Sequence, residues 1–529
     1  MAQNELWLIV GLFSVTIPLV ALAKRASVPY PVALVLGGLA LGFIPGLPRI
    51  ELDPNLVLII FLPPLLYWEA ITAPTDVMRA NAGQIWLLAI GLVTATTITV
   101  AVVAHAAIPH LAWAMAFVLG AIVAPTDELA SLPVLEKMRV PRHLSAIVSG
   151  ESLLNDASSL ILYGAAVTVA AGGAFSWSLA VMQFFISGFG GIAIGLIAGW
   201  LAVEGWRRIK DEQLQGVISF NLPYLAYLSS LRLNISGVLA VVFAGIYANW
   251  NSPQVIVPAA RLRLSGYWDT VVFLVNALLF LLVGLQLHEL TRLVLIEYSW
   301  ATLLWYAFLI NATVLVTRFA WTLGQEFLPV IGGASEHPGG DWKHALVAAW
   351  SGLRGAVSLA AALAIPVTMA GGFALPHRNL VIFLTFTVIL VTLVGGGLTL
   401  PLVLEWLKVG GVDEEESDDV RRGILGMAEA ALKRIDELEK KSKIGADHAR
   451  ELRRRYQHKR SHADGSLSDE HTAGERAEAE AEREVLAAER QALRELRQRG
   501  EIDNVVQRRL LRVLDVAEER LGHLTGSSL

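Results

Sequence analysis

The sequence contains no cysteine, and its first 410 residues carry few charges. Without cysteine there is no disulfide framework, no thiolate metal site and no thiol chemistry. Of the 89 charged side chains, 50 lie after residue 410. The chain is 54% hydrophobic with a mean hydropathy of +0.54, which is too apolar for a soluble globular protein. We therefore predict an all-α, multi-pass membrane domain at 1–410 and a charged helical tail at 411–529.

No basic residue precedes the first apolar run, so we interpret that run as a membrane span rather than a signal peptide. A span needs about 20 apolar residues. Thirteen candidate stretches lie at 5–23, 30–46, 54–72, 82–104, 112–130, 145–171, 177–203, 213–231, 234–250, 267–288, 295–322, 344–369 and 379–407.

Positive charge in the loops orients these spans, because cytoplasmic loops are rich in Lys and Arg. One set of alternate loops holds thirteen Lys and Arg residues, and the other holds four. We therefore expect the N-terminus outside the cell (plasma or inner) membrane and the tail in the cytoplasm. Thirteen spans divide into six, a linker span and six more. The odd offset inverts the second half, and such inverted repeats are common in transporters.

Spans 5 and 12 would correspond in such a repeat, and both are interrupted. In VAPTD, Pro125 cannot donate a backbone hydrogen bond and disfavours helix at the preceding residue. In SGLRG, Gly352 and Gly355 flank Arg354. Broken helices at membrane depth must be buried in protein or line a wet cavity, so we expect two discontinuous helices there.

Six charges fall well inside spans, where each costs about 2.5–3.5 kcal/mol on insertion scales. They are Glu69, Asp127, Glu151, Asp156, Arg318 and Arg354. Such charges should pair or face water. Glu151 lies about 100° around its helix from Ser152. It is expected to point elsewhere, into a structural ion pair with either Arg318 or Arg354.

A polar stripe gives the sharpest prediction of a site. Ser152, Asn155, Asp156 and Ser159 are spaced i, i+3, i+4 and i+7, which places them on one helix face. The Ser152 hydroxyl and the Asp156 carboxylate can therefore face one small cation, and the APTD break can add a freed carbonyl at Pro125 or Thr126. Removal from water disfavours a charged carboxylate, so a proton and a cation can compete for it. That competition suffices for antiport.

Three further acids lie near the interrupted spans. Asp127 is expected either at the ion site or as a compensating charge at a helix end. Glu69 follows Pro63-Pro64 and has two open readings, a water-mediated role near the ion or a helix-end position. Glu128 is expected to face the cytoplasmic mouth.

Six stretches carry a family resemblance. They are FLPPLLYWEA (61–70), VAPTDELA (123–130), GESLLNDASSLILY (150–163), LVTRFAW (315–321), SGLRGAVSLA (351–360) and GGGLTLPLV (395–403). In this order they resemble the monovalent cation:proton antiporters of the sodium/proton exchanger superfamily, in the bacterial and archaeal branch related to animal exchangers. The resemblance implies a homodimer whose protomers have a dimerisation domain and a core domain with two crossing unwound helices. It also implies elevator-like alternating access.

The resemblance assigns site residues as well. Asp156 looks like the carboxylate that binds cation and proton in turn. Ser152, Asp127 and the backbone of Thr126 match its other ligands, and Glu69 lies nearby. These positions imply a monovalent cation bound at Asp156, Ser152 and Thr126.

Further positions refine the resemblance. Asn155 stands where the electrogenic branch has a second aspartate, which implies electroneutral exchange of one cation for one proton. Glu151 looks like the structural glutamate of the core, paired with Arg318, and Arg354 matches the arginine of the second broken helix. Glu128 departs from the family pattern, since many relatives have proline or a small residue there. The departure puts the ion affinity in question.

The tail opens with an acidic linker at 411–422. Apolar residues at helical spacing then predict a helix over 423–440, and further helices are predicted over 475–499 and 502–521, after a break at 461–474. A small helical bundle would result. Regulation through a ligand or partner, dimer stabilisation and passive solubilisation remain open as its roles.

The function that these residues favour is exchange of a monovalent cation for H⁺, with Na⁺ as the default and Li⁺ or K⁺ as alternatives, including a K⁺-preferring antiporter. A cation channel suits a titratable carboxylate at a broken helix less well. An intramembrane aspartyl protease would need a GxGD motif within a span, and Gly339-Gly340-Asp341 falls in a polar loop. No enzyme activity, cofactor or nucleic-acid partner is expected. Membrane lipid and a second copy of the chain are the expected partners.

Overall fold

The structure is a computed structural model. It describes residues 2–26, 28–44, 54–128, 131–172, 177–327, 342–369, 372–410, 414–464 and 484–496, together with 499, 506–507, 510–511 and 514. The chain divides into two compact units, Met1–Asp413 and Glu414–Leu529. Across the described residues every regular element is a helix, apart from an isolated β-bridge between Thr368 and Ala374.

The first unit is built of helices that follow one another with short connections. In chain order they are α1 (Ala2–Ala26), α2 (Tyr30–Gly42), α3 (Pro54–Thr72), α4 (Thr75–Ala80), α5 (Ala82–Trp86), α6 (Val93–Ala107), α7 (Trp113–Val123), α8 (Leu132–Lys137), α9 (Arg142–Ala170), α10 (Trp177–Arg208), α11 (Glu212–Arg232), α12 (Gly237–Val255), α13 (Pro258–Val294), α14 (Trp300–Phe327), α15 (Trp342–Trp350), α16 (Ala356–Leu363), α17 (Arg378–Leu390) and α18 (Gly397–Leu407). Two π-helical segments, Leu87–Leu92 and Val391–Gly396, join α5 to α6 and α17 to α18.

Each predicted span overlaps at least one of these helices. Six described helices are long and apolar enough to cross a membrane on their own, and α2, the 58–72 part of α3, and α7 are shorter apolar helices. The boundaries differ from the prediction in places: α13 has 37 residues, well beyond the predicted 267–288. Pro223 lies inside α11 without ending it. The number of spans and the inverted repeat stay predictions.

Small residues allow the closest helix contacts in this unit. At the contact of α2 and α13, a Cβ atom on Gly38 would overlap the Leu281 carbonyl, and one on Gly284 would overlap the Val35 carbonyl. Where α6 meets α7, Gly120 lies equally close to the backbone of the neighbouring helix. Helices in lipid associate largely through such close van der Waals packing, because lipid tails are as apolar as the side chains.

Two groups of helices pack most extensively within themselves, and α3 and α12 of the first group also contact α9 of the second. In the first group α2 packs along α13, while α10 and α11 pack on α12, which lies along α3. In the second group α6 packs along α7 and α14, and α7 packs along α9. Glu69 is on α3 and Asp156 is on α9, so the first group carries Glu69 and the second carries Asp156.

The second unit contains α19 (Glu414–Lys440) and α20 (Ala446–Ala463), which form a hairpin. Arg453 of α20 pairs with Asp436 and Glu439 of α19. The prediction of an acidic linker is wrong from residue 414 onward, because acidic residues favour the first turn of a helix through its dipole. The sequence pattern also missed α20. Residues 484–496 are helical, whereas most of the helices predicted over 475–499 and 502–521 lie outside the described residues, as do 328–341 with Gly339-Gly340-Asp341.

Candidate functional site

The breaks in spans 5 and 12 meet. Residues 124–131 separate α7 from α8, and residues 351–355 separate α15 from α16. The backbone N–H of Asp127 in the first break donates to the carbonyl oxygen of Leu353 in the second at 2.7 Å. Each non-helical segment is thus buried against the other, which is the condition for irregular backbone at membrane depth.

Charged side chains compensate the helix ends at this crossing. The backbone N–H of Ala356, at the start of α16, donates to Oδ2 of Asp127 at 2.8 Å. The Nε–H of Arg354 donates to the carbonyl oxygen of Val123, the last residue of α7, at 3.2 Å. A carboxylate at a helix N-terminus and a guanidinium at a helix C-terminus both oppose the helix dipole. Asp127 therefore occupies a helix end, one of its two predicted positions.

The Glu151 carboxylate forms a bidentate pair with Arg318. The two guanidinium nitrogens donate to Oε1 at 2.6 Å and to Oε2 at 3.0 Å, and both side chains are about 2% exposed. Arg318 also donates to the carbonyls of Ala348 and Ala349 near the end of α15. The pair therefore ties α9 and α14 to the second broken helix.

Of the two arginines considered as partners of Glu151, Arg354 is not the one that pairs with it. Within the described ranges it has no carboxylate partner, and it donates instead to the carbonyl oxygens of Val123 and Gly352. The carbonyl ends of the broken helices carry partial negative charge, and they take the place of an acidic side chain.

The polar stripe of α9 faces the first break. The Ser152 hydroxyl donates to the Thr126 carbonyl oxygen, and Nδ2 of Asn155 donates to the Thr126 hydroxyl, each at 2.8 Å. The Ser159 hydroxyl donates to the carbonyl oxygen of Ala121 at 2.8 Å. Thr126 thus supplies one of the two freed carbonyls that the sequence suggested, and Asn155 presents its amide hydrogens to the same residue.

Glu151 is not separate from this stripe. The Thr126 hydroxyl donates to Oε1 of Glu151 at 3.3 Å, so one threonine connects Glu151 with Asn155. The expectation that Glu151 points away from the ion-facing residues is wrong to that extent. Residues 151 and 155 are spaced i, i+4 and therefore share a helix face.

Asp156 lies on the same stripe of α9 as Ser152 and Ser159 and is 3% exposed. Across the described part of the chain its carboxylate makes no hydrogen bond and no ion pair. Asp127 and Glu128 act on it electrostatically, and Asp156 in turn acts on Glu69. A buried carboxylate among other carboxylates requires a proton or a bound cation to offset its charge.

Glu128 is buried rather than at the mouth. It is 6% exposed, and Glu69 is 7% exposed. Oε2 of each is buried with no hydrogen-bond partner among the described residues. The expectation that Glu128 faces an open mouth is wrong in this structure, because its side chain is packed inside the protein.

Carboxylate, hydroxyl and carbonyl oxygens are the donors that converge here. Monovalent cations are coordinated by such oxygens. Within the described ranges no group of three or more His, Asp or Glu residues has the geometry to hold a metal ion. The donors near Asp156 are thus oxygens of the kind that coordinate monovalent cations.

Comparison with known proteins decides the family. The family model described as sodium/hydrogen exchanger, transmembrane, matches residues 11–406. The chain belongs to the sodium/hydrogen exchanger family. An uncharacterised Na⁺/H⁺ exchanger of Mycobacterium tuberculosis is 34% identical to this exchanger chain over 526 residues, which cover 97% of the chain and 95% of the relative. The resemblance drawn from the six sequence stretches is confirmed, and the family consists of multi-pass membrane antiporters rather than enzymes.

This exchanger chain is also similar to a bacterial antiporter and to a solved antiporter structure. It is 30% identical to a sodium, potassium, lithium and rubidium/H⁺ antiporter of Bacillus subtilis over 420 residues, or 77% of the chain and 62% of the relative. The solved structure of the sodium proton antiporter MjNhaP1 from Methanocaldococcus jannaschii at pH 8 matches with a TM-score of 0.59 and 19% identity. That match covers 77% of this chain and 99% of the other, and it shows a shared fold.

Sequence analysis of this exchanger chain missed two hydroxyls beside the π-helical segments. The Thr392 hydroxyl accepts the backbone N–H of Arg354 at 3.2 Å. The Ser158 hydroxyl donates to the carbonyl oxygen of Ala89 at 2.5 Å. Thr392 and Ala89 each lie in a π-helical segment, where the changed backbone register often marks a functional site. In the sequence, the only sign of either residue is a hydroxyl group within an apolar helix.

Gly355 provides a test of this geometry. A Cβ atom there would overlap the Asp127 carboxylate, so Gly355→Ala should push that carboxylate away from α16. We expect a loss of about 1–3 kcal/mol in stability, together with impaired exchange. Thermal unfolding of the purified exchanger would measure the loss. The control Gly164→Ala adds a methyl group to α9 where nothing lies within 4 Å, and equal melting temperatures for both variants would contradict the Asp127 contact.

Proposed function

We propose that this chain exchanges a monovalent cation for H⁺ across the membrane, and that both bind in turn at Asp156. The observation that carries the proposal is the Asp156 carboxylate itself, which is buried at the crossing of two broken helices and makes no hydrogen bond or ion pair within the described part of the chain. A proton neutralises the carboxylate in one state, and a cation does so in the other. Because the two compete, each displaces the other.

The cation would sit between α9 and the first break. The Ser152 hydroxyl can donate to the Thr126 carbonyl and still turn a lone pair toward the cation, since a hydroxyl has one donor and two acceptor positions. Asp156, Ser152 and Thr126 then supply oxygen ligands. Asp127 balances the N-terminus of α16, and Glu69 approaches from α3, where it adds negative potential.

Electroneutral exchange is part of the proposal. Asn155, next to Asp156, is uncharged and is held by the Thr126 hydroxyl. This turn of α9 therefore offers a single carboxylate, which can carry one proton or one cation. Glu151 does not add a second, because Arg318 holds it in a bidentate pair.

Na⁺ is the proposed cation, since the family model and the mycobacterial relative are both named for sodium. Li⁺ and K⁺ are further candidates, because the Bacillus subtilis relative is named for sodium, potassium, lithium and rubidium.

The wider architecture is proposed from the resemblance and the loop charges. We propose thirteen spans in two inverted halves, an outside N-terminus, a cytoplasmic tail and a homodimer in the cell membrane. The two helix groups would act as dimerisation and core parts. The core would move elevator-like with Asp156, and the tail would modulate that movement.

Reconstitution into proteoliposomes tests the function. Addition of Na⁺, Li⁺, K⁺ or Rb⁺ outside vesicles that contain a pH dye should drive protons out of the lumen, with a cation order that reports selectivity. Clamping the membrane potential at zero should leave the rate unchanged if exchange is electroneutral. Cation flux without proton counterflow would contradict antiport and would favour a channel.

A further inference from the structure

Glu128 is a buried carboxylate that exchange at Asp156 does not require. It lies in the first break, and its Oε2 is buried without a hydrogen-bond partner among the described residues. The Glu128 carbonyl oxygen accepts the N–H groups of Ser131 at 3.0 Å and Leu132 at 2.7 Å, which fixes the residue at the start of α8. A buried carboxylate with one oxygen left without a partner is costly, so its retention here calls for a proton or a compensating charge.

A second carboxylate and a hydroxyl converge on Glu128. The carboxylates of Glu128, Asp156 and Asp127 all act electrostatically on Glu69. The Ser149 side chain lies beside the Glu128 carboxylate. Oε2 of Glu69 is also buried without a partner within the described ranges. Two carboxylates that interact with each other thus each keep one buried oxygen without a hydrogen-bond donor.

Protein groups do not supply the compensating charge. In the part of the chain that the structure describes, no basic side chain acts on Glu69 or Glu128. Asp127 and the exposed Glu136 add further negative charge near Glu128. This set of oxygens can therefore attract a cation from solution.

The position of Ser149 places this region relative to Asp156. Ser149, Ser152 and Asp156 are spaced i, i+3 and i+7, so all three lie on one face of α9. At 1.5 Å per residue, Ser149 lies about 10 Å from Asp156 along the helix axis, toward the Arg142 end. Oxygen donors thus line one face from that end to the site.

We propose that Glu128, Glu69 and Ser149 form a second monovalent-cation site, which a cation occupies on its way between the Arg142 end of α9 and Asp156. This inference rests on the proposed function, because it assumes cation transport through Asp156. Glu69 belongs to the first helix group, whereas Glu128 and Ser149 belong to the second. The site is therefore complete only while the two groups keep the relative position seen here, and their displacement would release its cation.

Equilibrium binding of radioactive Na⁺ and Rb⁺ to the purified full-length protein tests the second site. Asp156→Asn should lose the site at Asp156 yet retain weaker cation binding. Adding Glu128→Gln should remove that remainder. Absence of any binding to a folded Asp156→Asn variant, with binding present in the wild type, would overturn the second site.

Exchange kinetics in proteoliposomes provide an independent readout. We expect Glu128→Gln to raise the KM for the cation about tenfold, as loss of a supporting group at a metal site does, and Glu128→Asp to recover part of the affinity. Glu405→Gln is the matched control, since it removes the same charge from an exposed position on α18 that does not act on Glu128. Equal KM values for Glu128→Gln and Glu405→Gln would overturn the second site while leaving the proposed function intact. No cation-driven proton movement in the wild type would instead overturn the proposed function.

Discussion

Asp156→Asn is expected to abolish cation/proton exchange while the protein still folds. The substitution keeps the shape of the side chain but removes the group that carries either charge. Removing a group that only supports a metal ligand lowers metal affinity or activity about 10–100-fold. Loss of the carboxylate itself should therefore lower the exchange rate more than about a hundredfold. Proton flux driven by a cation gradient in proteoliposomes would measure it, with size-exclusion profiles to confirm folding.

A matched control is Asp269→Asn, which removes the same charge from an exposed position on α13. Exchange by this variant should stay close to that of the wild type. If Asp156→Asn exchanged as fast as Asp269→Asn, the carboxylate of Asp156 would not be the shared site.

Arg318→Met is expected to produce the largest loss of stability. It leaves the Glu151 carboxylate buried and without its bidentate partner. It also removes the two hydrogen bonds that Arg318 donates to the carbonyl oxygens of Ala348 and Ala349 in α15. Breaking one side of a buried ion pair typically costs about 3–5 kcal/mol. Thermal unfolding in detergent should show a fall of several degrees in the melting temperature.

Two variants separate the buried pair from a general effect of charge. Arg207→Met breaks an exposed pair with Glu204, where the arginine side chain is 59% exposed, and should cost no more than about 1 kcal/mol. Adding Glu151→Gln to Arg318→Met removes the stranded charge and should restore part of the lost stability. If the single and double variants had the same melting temperature, below that of the wild type, the hydrogen bonds from the guanidinium to α15 would contribute more to stability than the ion pair.

Residues close in sequence were the predictable part of this fold. The multi-pass helical class, the breaks in spans 5 and 12 and the stripe from Ser152 to Ser159 all follow from local apolarity, Pro125 and helical spacing. The family followed from ordered motifs.

Contacts across the fold were not predictable in the same way. Nothing local chooses Arg318 over Arg354 as the partner of Glu151, because the choice depends on how α14 packs beside α9. The burial of Glu128 depends on where the broken chain turns, and periodicity does not report that. Charge alone does not predict the helical start at residue 414, because acidic residues are common both in linkers and in the first turn of a helix.

The most direct test of the account is whether a cation displaces a proton from Asp156. Calorimetric titration of the purified protein with Na⁺, in buffers that differ in ionisation heat, counts the protons released on binding. We expect the wild type to release about one proton more per molecule than Asp156→Asn. Cation binding to the wild type with no such extra release would contradict competition at Asp156.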